Sequence, residues 1–308
     1  MTTEEVFHLR TAAIGIGSNS LRMLVADIAL GELHRLKRYR EGLRTFAALD
    51  NEGNISQEMI ALTSEKVRQF HEQAVASGAE KVHLFATSAI RDAANQQELI
   101  HALENASGLQ MEICSGKLEA ELSYIGAADM GMCGMIDIGG GSTELAIGRD
   151  LSMSRCDSLQ LGAVRLHRMY AINCAADVWP VVEHAKEILR PVVDTFTADA
   201  IENWVGVGGT FTTSATVAQS IPHDDRSNVH GYVLTRAEVE RLALELADMP
   251  LDKRLQLPSI QPQRADIVVH GIAILMACMD MLHIPQIRVS VFGNLEGYLK
   301  LKYLRQQG

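Results

Sequence analysis

Residues 12–25, AAIGIGSNSLRMLV, place apolar residues on either side of a glycine and hydroxyl turn, which is the pattern of a β-hairpin. Residues 135–147, MIDIGGGSTELAI, repeat the order of strand, glycine turn, hydroxyl and strand. The stretches align at three pairs of residues: Ile14 with Ile136, Gly17 with Gly139, and Ser20 with Ser142. At the end of the first strand the second copy has Asp137 where the first has Gly15. The repeat predicts two related lobes, each beginning with a hairpin.

The composition limits the classes of function. With 308 residues, 47% of them hydrophobic and 21% charged, the chain is long enough for two domains or for one repeated domain. Its net charge of -10 works against a broad nucleic-acid interface, since neutralising a phosphate backbone requires clustered Lys and Arg. No nucleic-acid partner is expected, and any phosphate ligand must be bound locally.

Neither export nor membrane insertion is predicted. The first ten residues, MTTEEVFHLR, carry acids where a signal peptide needs positive charge before an apolar run. The most apolar window, residues 267–284, contains His270, Asp280 and His283, which are costly in lipid, so it predicts a buried helix. We therefore expect a cytoplasmic protein with no membrane partner.

Helical and strand patterns alternate along the chain, which predicts an α/β fold. Ser56 is a candidate N-cap for a helix that ends at about residue 76, and residues 236–249 predict an amphipathic helix. Residues 82–87 predict a buried strand, and residues 202–215 predict a strand that runs into a glycine turn. The predicted lobes are residues 1–125, with a C-terminal helix at about 297–308, and residues 126–296.

Three glycine turns follow predicted strands, and their chemistry suits anions. Glycine lets the backbone approach a ligand, so consecutive N–H groups can point into one cavity and bind phosphate. A tight hairpin explains the GSNS turn alone equally well, and glycines such as those of VGVGGT also occur for packing. The candidate phosphate-binding residues are Gly17, Ser18, Asn19, Ser20, Gly139, Gly140, Gly141, Ser142, Thr143, Gly208, Gly209 and Thr210. Asp137 and Glu144, beside the second turn, are candidate ligands for magnesium or another divalent cation.

The ordered motifs resemble the exopolyphosphatase and guanosine pentaphosphate phosphatase (Ppx/GppA) family over nearly the whole chain. The matching segments are residues 12–25, FATSAIRDAANQ at 85–96, SGKLEAELSYIG at 115–126, IDIGGGSTEL at 136–145, LQLGAVRL at 159–166, VGVGGTFTTSA at 205–215, HGYVLTRAEVERL at 230–242 and RADIVVHGIAIL at 264–275. The resemblance implies two ribonuclease-H-like lobes of the actin-like ATPase and sugar-kinase superfamily around a central cleft that binds phosphate groups and magnesium. It implies release of terminal phosphate from inorganic polyphosphate or guanosine pentaphosphate (pppGpp). The chain resembles the short two-domain form, without the C-terminal helical domain of longer relatives, which favours short substrates.

The resemblance implies that Glu119, which matches the glutamate of the family's SGxEEAxL motif, is the general base. Hydrolysis of a phosphoanhydride needs an aligned water, stabilised charge on the phosphoryl oxygens, and a carboxylate to orient or deprotonate the water. Glu119 near a helix start suits the last role, and Arg91 suits charge stabilisation. Without the family motif, Glu119 is more simply explained as a first-turn acid favoured by the helix dipole, and Arg91 as a surface arginine.

The chain departs from the family pattern around the predicted cleft. The departures are Gly15 for the acid of the usual DxGSNS loop, Leu118 for the first glutamate of the EEA pair, residues 46–48 for a glycine and an acid, and SVFGNLEG at 290–297 for SDxGLREG. Losing an acid that supports a metal typically costs about 10- to 100-fold in affinity or activity. We therefore expect Gly15→Asp to raise turnover or to lower the magnesium requirement.

Three hypotheses follow from these motifs. The first is an active phosphohydrolase that acts on polyphosphate or guanosine pentaphosphate. The second is a catalytically weakened relative that binds polyphosphate or guanosine pentaphosphate and tetraphosphate as a sensor or partner protein. The third, a kinase, draws on the superfamily fold alone and is the weakest, because the motifs are those of the hydrolases. The sequence leaves open whether the chain forms a homodimer.

Overall fold

The computed structural model describes residues 8–45, 48–50, 52–128, 131–197, 201 and 203–304. Two of the predicted features lie partly outside these ranges. They are the departure from the family pattern at residues 46–48, through Phe46 and Ala47, and the predicted C-terminal helix, through residues 305–308. The chain divides into two compact units. The first contains residues up to Leu122 together with those from Asn294 onward, and the second is Ser123–Gly293.

The first unit contains a five-stranded sheet. Its elements in chain order are β1 His8–Ile16, β2 Ser20–Ala29, β3 Glu32–Gly42, α1 Gln57–Ala76, β4 Lys81–Ala86, α2 Ser88–Arg91, α3 Gln96–Ser107, β5 Met111–Ile113 and α4 Gly116–Ala127. The strand order is β3-β2-β1-β4-β5, in which β1, β2 and β3 pair antiparallel while β4 and β5 run parallel to β1. The division between the units and the boundary predicted near residue 125 both fall within α4.

The second unit contains a six-stranded sheet. Its elements are β6 Met132–Ile138, β7 Thr143–Arg149, β8 Ser152–Leu159, α5 Ala163–Met169, α6 Val178–Thr197, β9 Asn203–Val207, α7 Gly209–Ala218, β10 Val233–Thr235, α8 Arg236–Asp248, α9 Leu251–Arg254, α10 Val268–Met281 and β11 Gln286–Val289, with short 3₁₀ turns at Ala175–Asp177 and Pro262–Arg264. The order is β10-β11-β9-β6-β7-β8. A final helix, α11 Asn294–Tyr303, belongs to the first unit.

Five strands of each sheet share one order and one set of directions. The series β3-β2-β1-β4-β5 in the first unit corresponds to β8-β7-β6-β9-β11 in the second, with three antiparallel strands followed by two parallel ones. The α/β fold class predicted from the alternating patterns and from the repeat is confirmed.

The two hairpins repeat down to the hydrogen bond that closes the turn. In the first hairpin the Gly17 N–H donates to the carbonyl oxygen of Ser20 over 3.0 Å. In the second the Gly139 N–H donates to the carbonyl oxygen of Ser142 over 2.9 Å. Similar strand and turn residues therefore produce the same local geometry in both units, as the sequence repeat predicts.

Two helices form for different physical reasons. Ser56 caps α1, since its hydroxyl accepts from the Met59 N–H over 3.3 Å, and Gly78 follows the helix with a φ of +84°. In α10 the residues from Val268 to Met279 are all buried, so this helix forms the centre of the second unit's core. Within the described part of the chain, no helix is both long and apolar enough to span a bilayer.

Helix α11 completes the core of the first unit. The ring of Tyr298 stacks on that of Phe85 with 4.7 Å between centroids, and its hydroxyl donates to Glu112 Oε2 over 2.7 Å. A Cβ atom on Gly297 would lie 1.8 Å from the carbonyl oxygen of Leu122 in α4. The two backbones thus approach at a distance that only glycine permits.

Candidate phosphate-binding and catalytic residues

The predicted site residues of the first unit lie at one edge of its sheet. Strands β1, β4 and β5 are parallel, so their carboxyl ends meet at the same edge, where α/β proteins commonly bind ligands. The first glycine turn, residues 17–20, follows β1; α2 with Arg91 follows β4; and the start of α4 with Glu119 follows β5. Parallel pairing therefore brings together predicted residues from three separate segments.

Hydrogen bonds hold the first glycine turn in place. The Oγ atoms of Ser18 and of Ser88, at the start of α2, lie 2.8 Å apart. The carbonyl oxygen of Asn19 accepts from the N–H groups of Leu43 and Arg44, each over 3.2 Å. The side chains of the turn are buried. The turn is thus fixed before any ligand binds, as anion binding by backbone N–H groups requires.

Arg91 holds the Glu119 carboxylate. Its Nη1 donates to Glu119 Oε2 over 3.0 Å and to the carbonyl oxygen of Cys114 over 2.9 Å. Glu119 is only 7% exposed, and acids are rarely buried unless they are paired. An acid that only complements the helix dipole needs neither burial nor an arginine partner. The pair has the geometry of an oriented carboxylate beside a cation.

The first unit has no room for an acid at position 15. A Cβ atom on Gly15 would lie 2.7 Å from Phe85 Cζ and 3.3 Å from Leu295 Cδ2. Phe85 is fully buried and stacked on Tyr298, so its ring cannot move aside cheaply. Opposite Gly15 in the hairpin, Arg22 donates to Asn294 Oδ1 over 3.2 Å. Apolar side chains therefore fill the space that the acid would need, which argues against the expected benefit of Gly15→Asp.

The predicted residues of the second unit also lie at one sheet edge. Strands β6, β9 and β11 are parallel, so their carboxyl ends meet. The second glycine turn, residues 139–142, follows β6, and the third, residues 208–210, follows β9. The departing SVFGNLEG segment follows β11. The second and third glycine turns are therefore neighbours.

The start of α5 packs on the second glycine turn. A Cβ atom on Gly162 would lie 2.3 Å from the carbonyl oxygen of Gly140, so a larger residue cannot stand there. Arg165 Nε donates to the carbonyl oxygen of Gly141 over 3.0 Å. Ser142 is 1% exposed, and its Oγ has no hydrogen-bond partner among the residues that the structure describes. Buried hydroxyls are normally hydrogen-bonded, so the Ser142 Oγ lacks a partner that a bound ligand would supply.

Asp137 and Glu144 face each other across the second hairpin. Ser123 Oγ donates to Asp137 Oδ2 over 2.7 Å, and Ser158 Oγ donates to Glu144 Oε1 over 2.8 Å. Over the described ranges no cluster of three or more His, Cys, Asp or Glu side chains forms a metal site. Two carboxylates nevertheless fit Mg²⁺, which commonly takes one or two and completes its shell with water and substrate phosphate.

The third glycine turn lies against both an acid and an arginine. Gly208 has a φ of +95°, and a Cβ atom on it would lie 2.7 Å from Asp137 Oδ1. A Cβ atom on Gly209 would lie 1.8 Å from Arg264 Cζ, so the Arg264 guanidinium packs directly on the turn. Thr210, the next residue, is buried. The candidate metal ligand and the third turn thus belong to one local site.

Comparison with known proteins decides the family. The model for the Ppx/GppA phosphatase family matches residues 24–305. This chain belongs to the Ppx/GppA phosphatase family. Exopolyphosphatase 2 of Mycobacterium tuberculosis is 30% identical over 313 residues, covering 94% of this chain and 97% of the relative. The solved Ppx/GppA enzyme of Aquifex aeolicus is 26% identical with a TM-score of 0.82 and coverage of 95% and 99%. An exopolyphosphatase from Cytophaga hutchinsonii shares the fold, with a TM-score of 0.86, 24% identity and coverage of 95% and 97%.

The Ppx/GppA resemblance identified from the motifs is confirmed, and the structure adds residues that those motifs did not single out. These are Ser88, Gly162, Arg165 and Arg264, each of which contacts a glycine turn. All four lie inside segments that match the Ppx/GppA family. Those matching segments were the sequence signal that could have identified these residues. Their contacts with the turns depend on chain segments far apart in sequence.

Proposed function

We propose that this Ppx/GppA family member is a phosphohydrolase that releases terminal phosphate from inorganic polyphosphate or guanosine pentaphosphate. Family membership and the likeness to a protein named exopolyphosphatase 2 support this class of activity. The observation that carries the proposal is the buried Glu119 carboxylate, held by Arg91 at 3.0 Å at the sheet edge where the first glycine turn also lies. A buried, oriented carboxylate is what a general base acting on water requires.

In this proposal Glu119 accepts a proton from the attacking water. Arg91 fixes the direction of the carboxylate, so that water is held in line with the phosphorus atom. In the proposal the guanidinium also offsets negative charge that develops on the phosphoryl oxygens. Glu119 therefore acts as the base, and Arg91 both positions it and stabilises charge.

The three glycine turns bind phosphate groups in the proposal. Backbone N–H groups of the three turns donate to phosphoryl oxygens, apart from those of Gly17 and Gly139, which close the hairpins. The Ser142 hydroxyl adds a donor, whereas the Thr143 hydroxyl donates to the carbonyl oxygen of Leu161. Asp137 and Glu144 would hold magnesium, which supplies Lewis-acid polarisation of a phosphoryl oxygen when it is bound. The hydroxyl donors Ser123 and Ser158 fix the orientation of these two carboxylates.

The filled space at Gly15 favours a second candidate function. Phe85 and Leu295 fill the space where the family's usual DxGSNS loop carries an acid, so the first hairpin lacks that acid. A chain that binds polyphosphate or guanosine pentaphosphate and tetraphosphate with slow turnover, as a sensor or partner protein, would tolerate this change. Measured turnover separates the two candidates.

The test compares phosphate release by the wild type, Glu119→Gln and Glu58→Gln, with polyphosphate or guanosine pentaphosphate and magnesium. Glu58 is the matched control, because it is an exposed first-turn acid of α1 and complements a helix dipole without an arginine partner. We expect Glu119→Gln to lower kcat by about 100- to 10,000-fold and Glu58→Gln to leave it unchanged. Equal turnover in the wild type and Glu119→Gln would remove the hydrolase proposal, and tight binding without release would support the sensor.

A further inference from the structure

Three arginines of strand β3 share one face of the first unit's sheet. They are Arg35, Arg38 and Arg40, which lie opposite Ala26, Leu24 and Arg22 of β2. Residues directly opposite each other in antiparallel strands project to the same side of the sheet. Ala26 and Leu24 belong to one buried cluster with Leu295 of α11. The three arginines therefore lie on the α11 side of the sheet.

The opposite face of β3 carries charges of both signs. Lys37 lies opposite Val25, which packs in the cluster that includes Phe70 of α1. Glu41, on the same face, forms an ion pair with Lys66 of α1 over 3.5 Å. Charged side chains on an edge strand such as β3 discourage pairing with another chain. That purpose does not require all three arginines to lie on one face.

A single buried carboxylate lies among these cations. Glu296 of α11 forms an ion pair with Arg38, and its side chain is only 1% exposed. Glu296 also attracts Arg35 and Lys300, which repel each other, and burial lowers the pKa of both. Among the described residues of β2, β3 and α11 on this side of the sheet, Glu296 is the only acid. One negative charge therefore faces three positive charges, in a chain whose net charge is -10.

The basic face, defined as Arg35, Arg38, Arg40 and Lys300, leads to the first glycine turn. Strand β3 ends at Gly42, opposite Ser20 of the turn. Opposite Arg40, the Arg22 Nη2 lies 3.8 Å from the position of a Cβ atom on Gly17. A strand rises about 3.3 Å per residue, so Arg35 and Arg40 lie about 16 Å apart along β3. Positive charge thus extends from the turn along the strand.

We propose that the basic face binds the inner phosphates of a long inorganic polyphosphate chain whose terminal phosphate lies at the first glycine turn. This inference rests on the proposed function and names long polyphosphate as its substrate. A row of cations along an extended strand complements a linear polyanion, and guanidinium groups offer paired donors to phosphate oxygens. The preference for long chains is opposite to the expectation of short substrates drawn from the sequence.

The test measures binding to the full chain by calorimetry, with Glu119→Gln as the background so that the probe is not consumed. The probes are size-fractionated polyphosphate of several tens of phosphates and tripolyphosphate, which is too short to reach from the turn to Arg35. The double variant Arg35→Gln/Lys300→Gln removes two positive charges and leaves Arg38 paired with Glu296. The matched control is Lys37→Gln, at an exposed position on the opposite face of β3.

We expect the double variant to bind long polyphosphate about tenfold more weakly and tripolyphosphate as tightly as the background protein does. Its affinity for long polyphosphate should also depend less steeply on salt concentration, because fewer phosphates are neutralised. Lys37→Gln should leave the affinity for both probes unchanged. Arg35→Gln alone, at an exposed position, should give a smaller loss that is again confined to long polyphosphate.

Unfolding in urea separates this role from a structural one. The double variant should be as stable as the background protein, since the buried carboxylate keeps its Arg38 partner. Unchanged affinity for long polyphosphate in both Arg35 variants, or equal weakening of both probes, would overturn the inference. Self-association of the double variant with unchanged polyphosphate affinity would also overturn it, and would assign the arginines to preventing edge pairing.

The outcome is distinguishable from failure of the proposed function. If the wild type releases phosphate but the double variant binds long polyphosphate as tightly as the background, the hydrolase stands and the basic face fails. If the wild type releases no phosphate but binding of long polyphosphate depends on Arg35 and Lys300, the basic face stands and the hydrolase fails.

Discussion

Phe85 fills the space that a side chain on Gly15 would occupy, with 2.7 Å between its Cζ and the position of a Cβ atom. Gly15 in β1 and Phe85 in β4 are paired residues of two neighbouring parallel strands. At the corresponding position of β6 the second unit has Asp137, whose Oδ2 accepts from Ser123 Oγ over 2.7 Å. Two hairpins with the same turn thus differ in the side chain that this strand position can hold.

The first prediction concerns this packing. Gly15→Ala should lower the free energy of unfolding by about 1–3 kcal/mol through overpacking, and Gly15→Asp by more, because it also buries a carboxylate. Phosphate release should fall or stay level in Gly15→Asp. Urea unfolding and release assays measure the two effects.

A double-mutant cycle with Phe85→Leu is the control for that explanation. The smaller side chain vacates part of the space, so Gly15→Ala should cost less in the Phe85→Leu background than in the wild type. Additive effects on the free energy of unfolding would show that Phe85 does not limit the size of the side chain at position 15. A rise in turnover for Gly15→Asp alone would support the expectation drawn from the family pattern.

The second prediction concerns the third glycine turn. Gly208→Ala and Gly231→Ala both place a Cβ on a backbone of positive φ, at +95° and +84°. Each should lose about 1–2 kcal/mol of stability from that strain. Gly231 has open space around it, whereas Gly208 abuts Asp137. Only Gly208→Ala should therefore also raise the magnesium concentration needed for half-maximal phosphate release, and equal magnesium requirements in the two variants would contradict a role for this contact.

The third prediction concerns the acid pair of the second hairpin. Asp137→Asn removes one of two facing carboxylates and should weaken magnesium binding by about 10- to 100-fold. The measurement is the magnesium dependence of thermal unfolding, which does not require turnover. Asp224→Asn, in an exposed loop, is the control. The same magnesium response in both variants would exclude Asp137 as a ligand.

The fourth prediction concerns pH. Because burial lowers the pKa of His270 from 6.5 to about 4, the unfolded chain takes up a proton between these values while the folded protein does not. The contribution of His270 to the free energy of unfolding should be fully present above about pH 6.5 and should fall as the pH decreases toward 4. The difference in proton uptake lowers the free energy of unfolding by about 2 kcal/mol between about pH 7 and about pH 5.

Comparison of variants isolates this contribution. His270→Gln keeps a donor for the Tyr170 carbonyl but does not titrate, so it should show a smaller loss than the wild type in urea unfolding at the two pH values. The charged and titratable groups around the ring, His167, Arg254 and Asp266, are common to both proteins. His101→Gln, at an exposed position on α3, should leave the loss unchanged. Identical pH dependence in His270→Gln would show that another group causes it.

The sequence by itself determined the features that depend on neighbouring residues. The alternating apolar residues and glycine turns around Gly17 and Gly139 fixed both hairpins, Ser56 fixed the start of α1, and the unbroken apolar run fixed α10 as a buried helix. Such features follow from turn chemistry, capping and periodicity, which act over a few residues. The ordered motifs likewise sufficed to identify the family and to single out Glu119.

Only the tertiary structure decided which distant side chains meet. Nothing local to Gly15 indicates that Phe85 occupies its space. The packing of Arg264 on Gly209 is equally invisible in the chain order. These relationships arise because parallel strands and packed helices bring together segments far apart in sequence, and close packing then decides whether the space between them holds an acid, an aromatic ring or an anion.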